Sequence, residues 1–356
     1  MRPLVAGLVA GLLTASATLT PVAATPAART AQASVADPFE RARAAAARVS
    51  FTGTVEVSWL DGRTEHHEQL TVKSAGGSLL VEGGNQVMVA STSERLVRHE
   101  GGGWDLLWPG AIDRAERPDP GLKYQTVEHD GPEVAGRPTT VVDVRQKGVG
   151  PEGAGPEGVG PEGVLREQVF LDRETELLLQ RRQYDGAGIT SRVVGFTSLV
   201  IDPGTAPAVS PSKPANLVPE SVQPTSLASP GLAPARLVDG YARMGVYKRD
   251  GLVQVLYSDG IYDLSVFERQ GTLDRRDLGR AGGPVQVGRA AGWRYAWPGG
   301  QVVLWQAGGT VYTLVSDAPL DQVLLAASDL PVPAERRPSI LERLRSVART
   351  LIQPLA

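Results

Sequence analysis

Short segments in which apolar and polar residues alternate recur along most of the chain, and Gly-rich turns separate them. The clearest covers residues 54–60, where Val55, Val57 and Trp59 share one face, and Asp61-Gly62 then forms a two-residue hairpin signal before residues 64–73. This pattern is typical of antiparallel strands. A sheet of many such strands curls or closes, because twist accumulates and free edges are a liability.

The same alternation predicts two further sets of strands. The first set covers residues 78–82, 86–90, 95–99, 104–108, 139–144, 166–171, 177–184 and 189–200, and the second covers 244–247, 252–258, 262–269, 284–287, 292–297, 301–307 and 310–316. A helix at 39–49, with Asp37 as its N-cap and Pro38 at its first position, is predicted before the first set. Another follows the second set at 319–328. The predicted fold class is therefore α+β, mostly antiparallel β.

Two segments interrupt this rhythm. Residues 148–163 repeat Gly-x-Gly-Pro-Glu with a period of five, and residues 203–236 are rich in Pro, Ser, Thr and Ala. The repeat cannot bury apolar surface, so we expect a disordered loop between two strands, and the Pro-rich segment favours an extended linker. For 356 residues, about two domains are expected. We place a larger one at 34–202 and a smaller one at 237–330.

The two ends of the chain carry patterns of their own. An uncharged apolar run at 4–19, followed by Ala31-Gln32-Ala33, predicts a secretory signal over 1–33, and a retained membrane anchor is the alternative. Within 331–356, Ser339 and Glu342 form a capping box ahead of a helix with an apolar and an arginine-rich face. We expect residues from Ser339 to Ile352 to contact a membrane surface or a partner, or to pack on the second domain.

The residues that usually carry chemistry are scarce. The chain has no cysteine, four histidines and a net charge of −3, which exclude thiolate metal sites, a cysteine nucleophile and a lipid-anchored N-terminal cysteine, and make nucleic-acid binding an unlikely role. Glu65-His66-His67-Glu68 divides between two faces of a strand, so neither half offers three metal ligands. No nucleophile elbow or phosphate loop is present. We expect no enzyme activity and no cofactor.

Apolar side chains on a curled sheet suggest binding instead. Ordinary core packing is one interpretation of these residues, and an apolar cavity for a lipid or a hydrophobic peptide is the other. The candidate cavity residues are Val57, Trp59, Leu70, Leu79, Trp104, Leu107, Trp108 and Phe170.

The run from Val255 to Phe267, VLYSDGIYDLSVF, contains a YSDG segment followed shortly by SVF. In this run the second domain resembles the MucB/RseB family, exported regulators of extracytoplasmic-function sigma factors. In the first domain, Val134-Ala135-Gly136-Arg137 and the stretch 170–188 resemble the family's GR turn and its LD-x-x-T-x-LLL hairpin. The matching positions in the second domain, which the resemblance implies for partner binding, are Tyr257, Ser258, Asp259, Gly260, Ser265 and Phe267.

The resemblance implies a fold and a role. Its first domain would be an unclosed LolA-like β-barrel holding helices, with a smaller C-terminal sheet domain beside it. The protein would bind the extracytoplasmic domain of a transmembrane anti-sigma factor, shield it from proteolysis, and release it when a lipid or an acyl chain enters the cavity. It would lie in the periplasm or extracytoplasmic space. A lipid or lipoprotein carrier of LolA type is the alternative, and a homo-oligomer stays open.

Overall fold

A computed structural model describes residues 37–75, 78–83, 86–90, 94–99, 104–109, 118–148, 163–201, 223–224, 234–237, 239–249, 252–274, 278 and 282–330. For 86–109, 223–224 and 247–249 the description covers the backbone. The expected signal segment, the interior of the Gly-Pro-Glu repeat, most of the Pro-rich linker and the expected helix at 339–352 lie outside the described residues.

The described chain forms helices and strands with the following bounds. The helices are α1 (Asp37–Arg48) and α2 (Leu320–Asp329). The strands are β1 (Phe51–Asp61), β2 (Thr64–Ala75), β3 (Ser78–Gly83), β4 (Gln86–Ala90), β5 (Glu94–His99), β6 (Trp104–Pro109), β7 (Tyr124–Val134), β8 (Arg137–Gln146), β9 (Val164–Asp172), β10 (Leu178–Tyr184), β11 (Thr190–Ile201), β12 (Gln223–Pro224), β13 (Ala242–Arg249), β14 (Leu252–Ser258), β15 (Asp263–Gln270), β16 (Gly283–Val287), β17 (Ala290–Trp297), β18 (Gly300–Ala307) and β19 (Thr310–Ser316).

The first sheet is an antiparallel meander that turns back on itself once. In the described part of the chain its order is β6-β5-β4-β3-β2-β1-β11-β10-β9-β8-β7, so β1 pairs with β11 and the two outer strands β6 and β7 do not pair. Each other neighbour in this sheet is also a neighbour in sequence, as a series of hairpins requires. The predicted class, mostly antiparallel β with an unclosed first sheet, is confirmed.

The second sheet has the order β12-β13-β14-β15-β19-β18-β17-β16 among the described residues. Its alternation is regular in β18 and β19, where every second residue is buried. Helix α2 covers the face that carries the buried Val303, Trp305 and Leu314, and its own Val323 and Ala326 are fully buried. The predicted strands of this region match the observed strands β13 to β19 closely.

The sequence prediction omitted β7, which forms one edge of the first sheet. Its burial pattern has only its first and last residues buried, Tyr124 and Val134, because an edge strand packs weakly. The register of its pairing with β8 shifts between Gly131 and Val134, at Pro132 and Glu133. A strand exposed over most of its length has no apolar alternation to reveal it.

Helix α1 packs on the first sheet through small side chains. Pro38, Ala42 and Ala45 are buried, and Phe39 and Ala46 pack against the core. The helix has the predicted position and N-terminal Pro. Because its inward residues are mostly alanines, the helix backbone lies close to the sheet.

Candidate functional site

The turn between β14 and β15 joins the two sheets. Asp259 accepts hydrogen bonds from the backbone amides of Ile261 (3.0 Å) and Tyr262 (2.8 Å) through Oδ1, which closes an Asx turn. The Ser258 hydroxyl accepts from the amide of Gly260 at 3.1 Å. The second carboxylate oxygen of Asp259 is thereby free to face the first sheet.

That oxygen meets a lysine and a tyrosine at the start of β7. Asp259 Oδ2 lies 2.8 Å from Lys123 Nζ and accepts the Tyr124 hydroxyl at 2.6 Å. Lys123 also donates to Asp239 at 2.9 Å and lies over the Tyr241 ring at 4.5 Å. The Asp259 side chain is 0% exposed and that of Lys123 10%, so the ion pair is largely out of water. Burial raises the pKa of Tyr124 well above its ordinary value, so its hydroxyl stays a donor.

Gly260 permits this close approach. Its φ is +92°, and a Cβ there would lie 2.6 Å from the Pro118 carbonyl oxygen and 3.0 Å from Pro120. A side chain at this position would push the turn away from the 3-10 turn Pro120–Leu122. The YSDG motif of the sequence thus builds a buried loop that fits against the first sheet.

A second group of charges lies on the opposite side of Tyr262. Arg181 of β10 makes a bidentate pair with Glu167 of β9, at 2.6 and 2.8 Å, and its Nη1 lies 3.5 Å from Asp317 Oδ2 on the second sheet. Gln183 donates to the Asp317 carbonyl at 2.9 Å. Arg192 is also buried here, and that burial lowers its pKa to about 10.

We refer to these contacts between the two sheets as the seam. On the first side it consists of Lys123, Tyr124, Glu167, Arg181, Gln183 and Arg192, and on the second side of Asp239, Tyr241, Asp259, Tyr262, Asp317 and Gln322. Two more ion pairs lie beside it, Arg166–Asp321 at 2.6 Å and Arg294–Asp61 at 3.0 Å. The seam therefore combines buried charges with three buried tyrosine rings, and these rings belong to one apolar cluster that includes residues of both sheets.

The apolar face of the first sheet runs directly into the seam. Val57 of β1 pairs with Val194 of β11, and Val194 pairs with Arg181 of β10. Paired residues share a face, so the apolar Val57 and the charged Arg181 lie on the same side of the sheet. A ligand on this face would lie next to the charges that hold the second sheet.

The structure brings some of the candidate cavity residues together and separates others. Val57 and Leu70 are buried on one face, since Leu70 pairs with Val55, and Leu79 is buried on β3. Trp59 is partly buried and stacks on His66 at 5.3 Å. Phe170 follows Val169, the partner of Arg181, and therefore lies on the opposite face. The side chains of Trp104, Leu107 and Trp108 lie outside the described residues.

The candidate partner-binding residues also fall into two groups. Tyr257, Ser258 and Asp259 are buried, and Gly260 packs on Pro118, all in or beside the seam. Ser265 and Phe267 lie on the other face of the second sheet and are partly exposed. Phe267 pairs with Thr313 there, in a row that continues through Leu304 to Trp293.

Next to that row, the edge hairpin of the second sheet forms an open recess. It measures about 330 Å³ and is lined by Pro284, Val285, Gln286, Ala291, Gly292 and Trp293. Together with Phe267 and Leu304 it gives the second sheet a partly exposed apolar face. This is a different surface from the seam.

Among the described residues no group of His, Asp and Glu is arranged to hold a metal ion. His67 lies 3.5 Å from Glu56 and 3.6 Å from Glu65, and all three side chains are exposed. In the part of the chain that the structure describes, no helix is long and apolar enough to cross a bilayer.

Sequence reasoning missed the first-sheet half of the seam. Glu167 and Arg181 occupy strand positions whose cross-strand neighbours Val144, Val169 and Val194 are buried and apolar. A charged residue in an inward position of an alternating strand was the available signal, because such a residue needs a partner. These two residues are each other's partners across the β9–β10 hairpin, but the contact of Arg181 with Asp317, 136 residues away in sequence, could not be named without the fold.

These two docked antiparallel sheets, the first open and the second held by a buried loop, define the fold class of the chain as mostly antiparallel β. No protein-family model and no curated protein sequence matches the chain. Solved structures of MucB are similar to the chain. MucB with MucA(peri) shares 18% identity at a TM-score of 0.46, covering 84% of this chain and 99% of that one. The Pseudomonas aeruginosa MucA/MucB complex shares 18% identity at a TM-score of 0.47 with the same coverage.

A domain of a putative outer membrane lipoprotein-sorting protein from Vibrio parahaemolyticus is similar over a shorter stretch. It shares 11% identity at a TM-score of 0.23, covering 47% of this chain and 93% of that domain. At these values of identity and TM-score, none of the likenesses carries an argument about function.

Proposed function

We propose that the protein is an exported regulator that binds the extracytoplasmic part of a transmembrane anti-sigma factor. One observation carries the proposal. The segment on which the resemblance to the MucB/RseB family rests, Val255 to Phe267, is also the segment whose buried turn fixes the second sheet against the first. The motif therefore makes a contact that exists only when the two sheets are docked.

The two sheets together favour a binder of a protein segment over a simple carrier. A lipid carrier needs the apolar face of the first sheet alone. Here Glu167, Arg181 and Arg192 of the first sheet are buried, and a first sheet standing alone would expose them. Arg181 pairs with Glu167 inside the first sheet and also lies 3.5 Å from Asp317 of the second, so part of the cost of burying these charges is offset across the seam. The proposed partner therefore meets both sheets in a fixed arrangement.

The finer parts of the proposal concern release. Bound partner would be shielded from the initiating protease, and a lipid on the apolar face of Val57 and Leu70 would release it.

In this proposal residues 1–33 are a removed signal, the mature chain begins near Ser34, and it carries no lipid anchor. Residues 34–202 and 237–330 are the two domains, joined by the 203–236 linker.

Calorimetric titration tests this function. Purified mature chain is titrated with the extracytoplasmic segment of a transmembrane anti-sigma factor from the same organism, with and without lipid extracted from the same cells. We expect micromolar or tighter binding that lipid weakens. No association at tens of micromolar by a folded protein would overturn the proposal, and lipid binding alone would support the carrier alternative.

A pair of variants separates a contact role from a structural one in the second domain. Phe267 is partly exposed, whereas Tyr257 is 1% exposed and donates to the Pro234 carbonyl at 3.2 Å. We expect Phe267→Ala to weaken partner binding with little change in melting temperature. Tyr257→Ala should lower the melting temperature, since burying such a ring is worth ~1.5–3 kcal/mol. If the two variants change partner binding and melting temperature equally, Phe267 does not contact the partner directly.

A further inference from the structure

Asp317 connects the sheets at the point where β19 leads into α2. Its Oδ1 accepts the backbone amide of Asp263 at 3.0 Å, inside the second sheet. Its carbonyl oxygen accepts Gln183 at 2.9 Å, and its Oδ2 lies 3.5 Å from Arg181 Nη1, both across the seam. One residue therefore belongs to the fold of the second sheet and to its contact with the first.

The charge of Asp317 is only partly compensated. Arg181 gives its two short bonds to Glu167, at 2.6 and 2.8 Å, and reaches Asp317 at the longer distance. The charged and titratable groups that face Asp317 are Glu167 of β9, Arg181 of β10, Arg192 of β11, Tyr262 of the turn before β15 and Asp263 of β15. Burial outweighs the two arginines and raises the pKa of Asp317 to about 6.

Separation of the sheets would return this carboxyl to water and to an ordinary pKa near 3.8. The docked state then binds a proton that the separated state does not, between about pH 6 and pH 4. Since a state that binds more protons gains stability as the pH falls, docking becomes more favourable on acidification through this window. Burial also raises the pKa of Asp239, on the other side of the seam, and this acts in the same direction.

The polar character of the seam makes separation feasible. Buried ion pairs contribute little net stability, because the cost of removing each charge from water offsets their attraction. Domain contacts that are polar rather than apolar commonly allow relative motion. Each sheet also buries apolar side chains of its own, Val303, Trp305 and Leu314 in the second and Val57, Leu70 and Val194 in the first, and the tyrosine rings of the seam connect the two sets.

We propose that docking of the second sheet on the first is a separable contact that mild acid tightens, with Asp317 as the residue that takes up the proton. The proposal concerns the conformation of the molecule and stands apart from the identity of its partner. It assigns to the seam a response to the pH of the compartment into which the protein is exported.

The chain has no cysteine, so two introduced cysteines give unique labelling positions. Glu133→Cys on β7 and Ala291→Cys on β17 are exposed and lie on different sheets. A fluorescent donor and acceptor at these positions report separation during a urea titration of the mature chain, while far-UV circular dichroism reports loss of strands. We expect separation at lower urea than strand loss at pH 7. At pH 5 the docking constant should be on the order of tenfold larger.

Three variants identify the group responsible. Asp317→Asn should remove most of the difference between pH 5 and pH 7, leaving the smaller part that Asp239 contributes. Asp143→Asn, a matched buried aspartate bonded within the first sheet to Gln168 and Arg145, should keep it. Gln183→Ala should weaken docking equally at both pH values, because it removes a seam hydrogen bond without removing a titrating group. Separation that coincides with strand loss at both pH values, or a pH difference that persists undiminished in Asp317→Asn, would overturn the proposal.

Discussion

Asp259 uses both of its carboxylate oxygens, one to shape its own turn and one to hold the first sheet. Replacing it with alanine leaves the Tyr124 hydroxyl without its 2.6 Å acceptor and Lys123 with Asp239 as its remaining carboxylate. We expect Asp259→Ala to lower the free energy of unfolding by about 3 kcal/mol, the cost of breaking a buried charged contact. Urea denaturation at neutral pH measures it.

Asp321→Ala is the control for this prediction. Asp321 also makes an ion pair between the sheets, 2.6 Å from Arg166, but its side chain is 40% exposed. Exposed pairs are worth at most about 1 kcal/mol, so its loss should be small. Similar losses in the two variants would contradict the importance given to burial in the seam.

Gly260 allows a second test at the same scale, because steric contact and backbone strain can be told apart. Gly260→Ala combines a φ of +92° with a Cβ 2.6 Å from the Pro118 carbonyl oxygen, whereas Gly136→Ala has a φ of +75° and open space within 4 Å. Strain alone should cost about 1–2 kcal/mol in Gly136→Ala. We expect a larger loss for Gly260→Ala, measured by thermal unfolding, and equal losses would show that the turn does not press on Pro118.

At the scale of elements, the Gly-Pro-Glu repeat connects two strand ends that already pair. Gln146, the last residue of β8, is opposite Val164, the first residue of β9, so the tract 148–163 bridges a gap that a short hairpin could close. Replacing it with Asn-Gly should change stability by less than about 2 kcal/mol, because loop closure costs only ~0.6 kcal/mol per doubling of length. A melting temperature at least ten degrees lower would mean that the tract packs on the protein.

Elements were predictable wherever one face is apolar. Strands such as β18, with Val303 and Trp305 inward, stand out from alternation alone. Helices α1 and α2 stand out from apolar spacing and from a proline at the start, Pro38 in the first turn of α1 and Pro319 at the N-cap of α2. Strand β7 did not, because it is an exposed edge. The joining of β1 to β11 and of β15 to β19 depends on distant pairing, and no local pattern specifies it.

The contacts across the seam also could not be predicted from local sequence patterns. The YSDG turn was found as a motif, and its position against Lys123 and Tyr124 came only from the fold. The resemblance implied that Asp259 and Gly260 serve partner binding. Both residues are buried. We therefore propose that they affect partner binding indirectly, by fixing the arrangement of the two sheets.

For the whole molecule, the apolar face and the seam lie on one continuous surface, and this gives lipid and partner a physical means of coupling. The row Val57, Val194, Arg181 passes from the proposed ligand face to the charges that hold the second sheet. A lipid that shifts β11 or β10 would disturb the contacts of Arg181 with Glu167 and Asp317. The proposed partner, which needs both sheets in place, would then bind more weakly.

Thermodynamic linkage makes this coupling a quantitative prediction. If saturating lipid lowers the affinity for the anti-sigma segment by some factor, saturating segment must lower the affinity for lipid by the same factor. Two calorimetric titrations in opposite order measure the two factors, and a typical coupling would be about 5–150-fold. We expect Gln183→Ala, which loosens the seam without touching the apolar face, to weaken binding of the segment and to raise lipid affinity in the absence of the segment, because the variant favours the arrangement that lipid prefers. Loss of lipid affinity in this variant would mean that the lipid contacts the seam itself, and coupling through the arrangement of the sheets would be excluded.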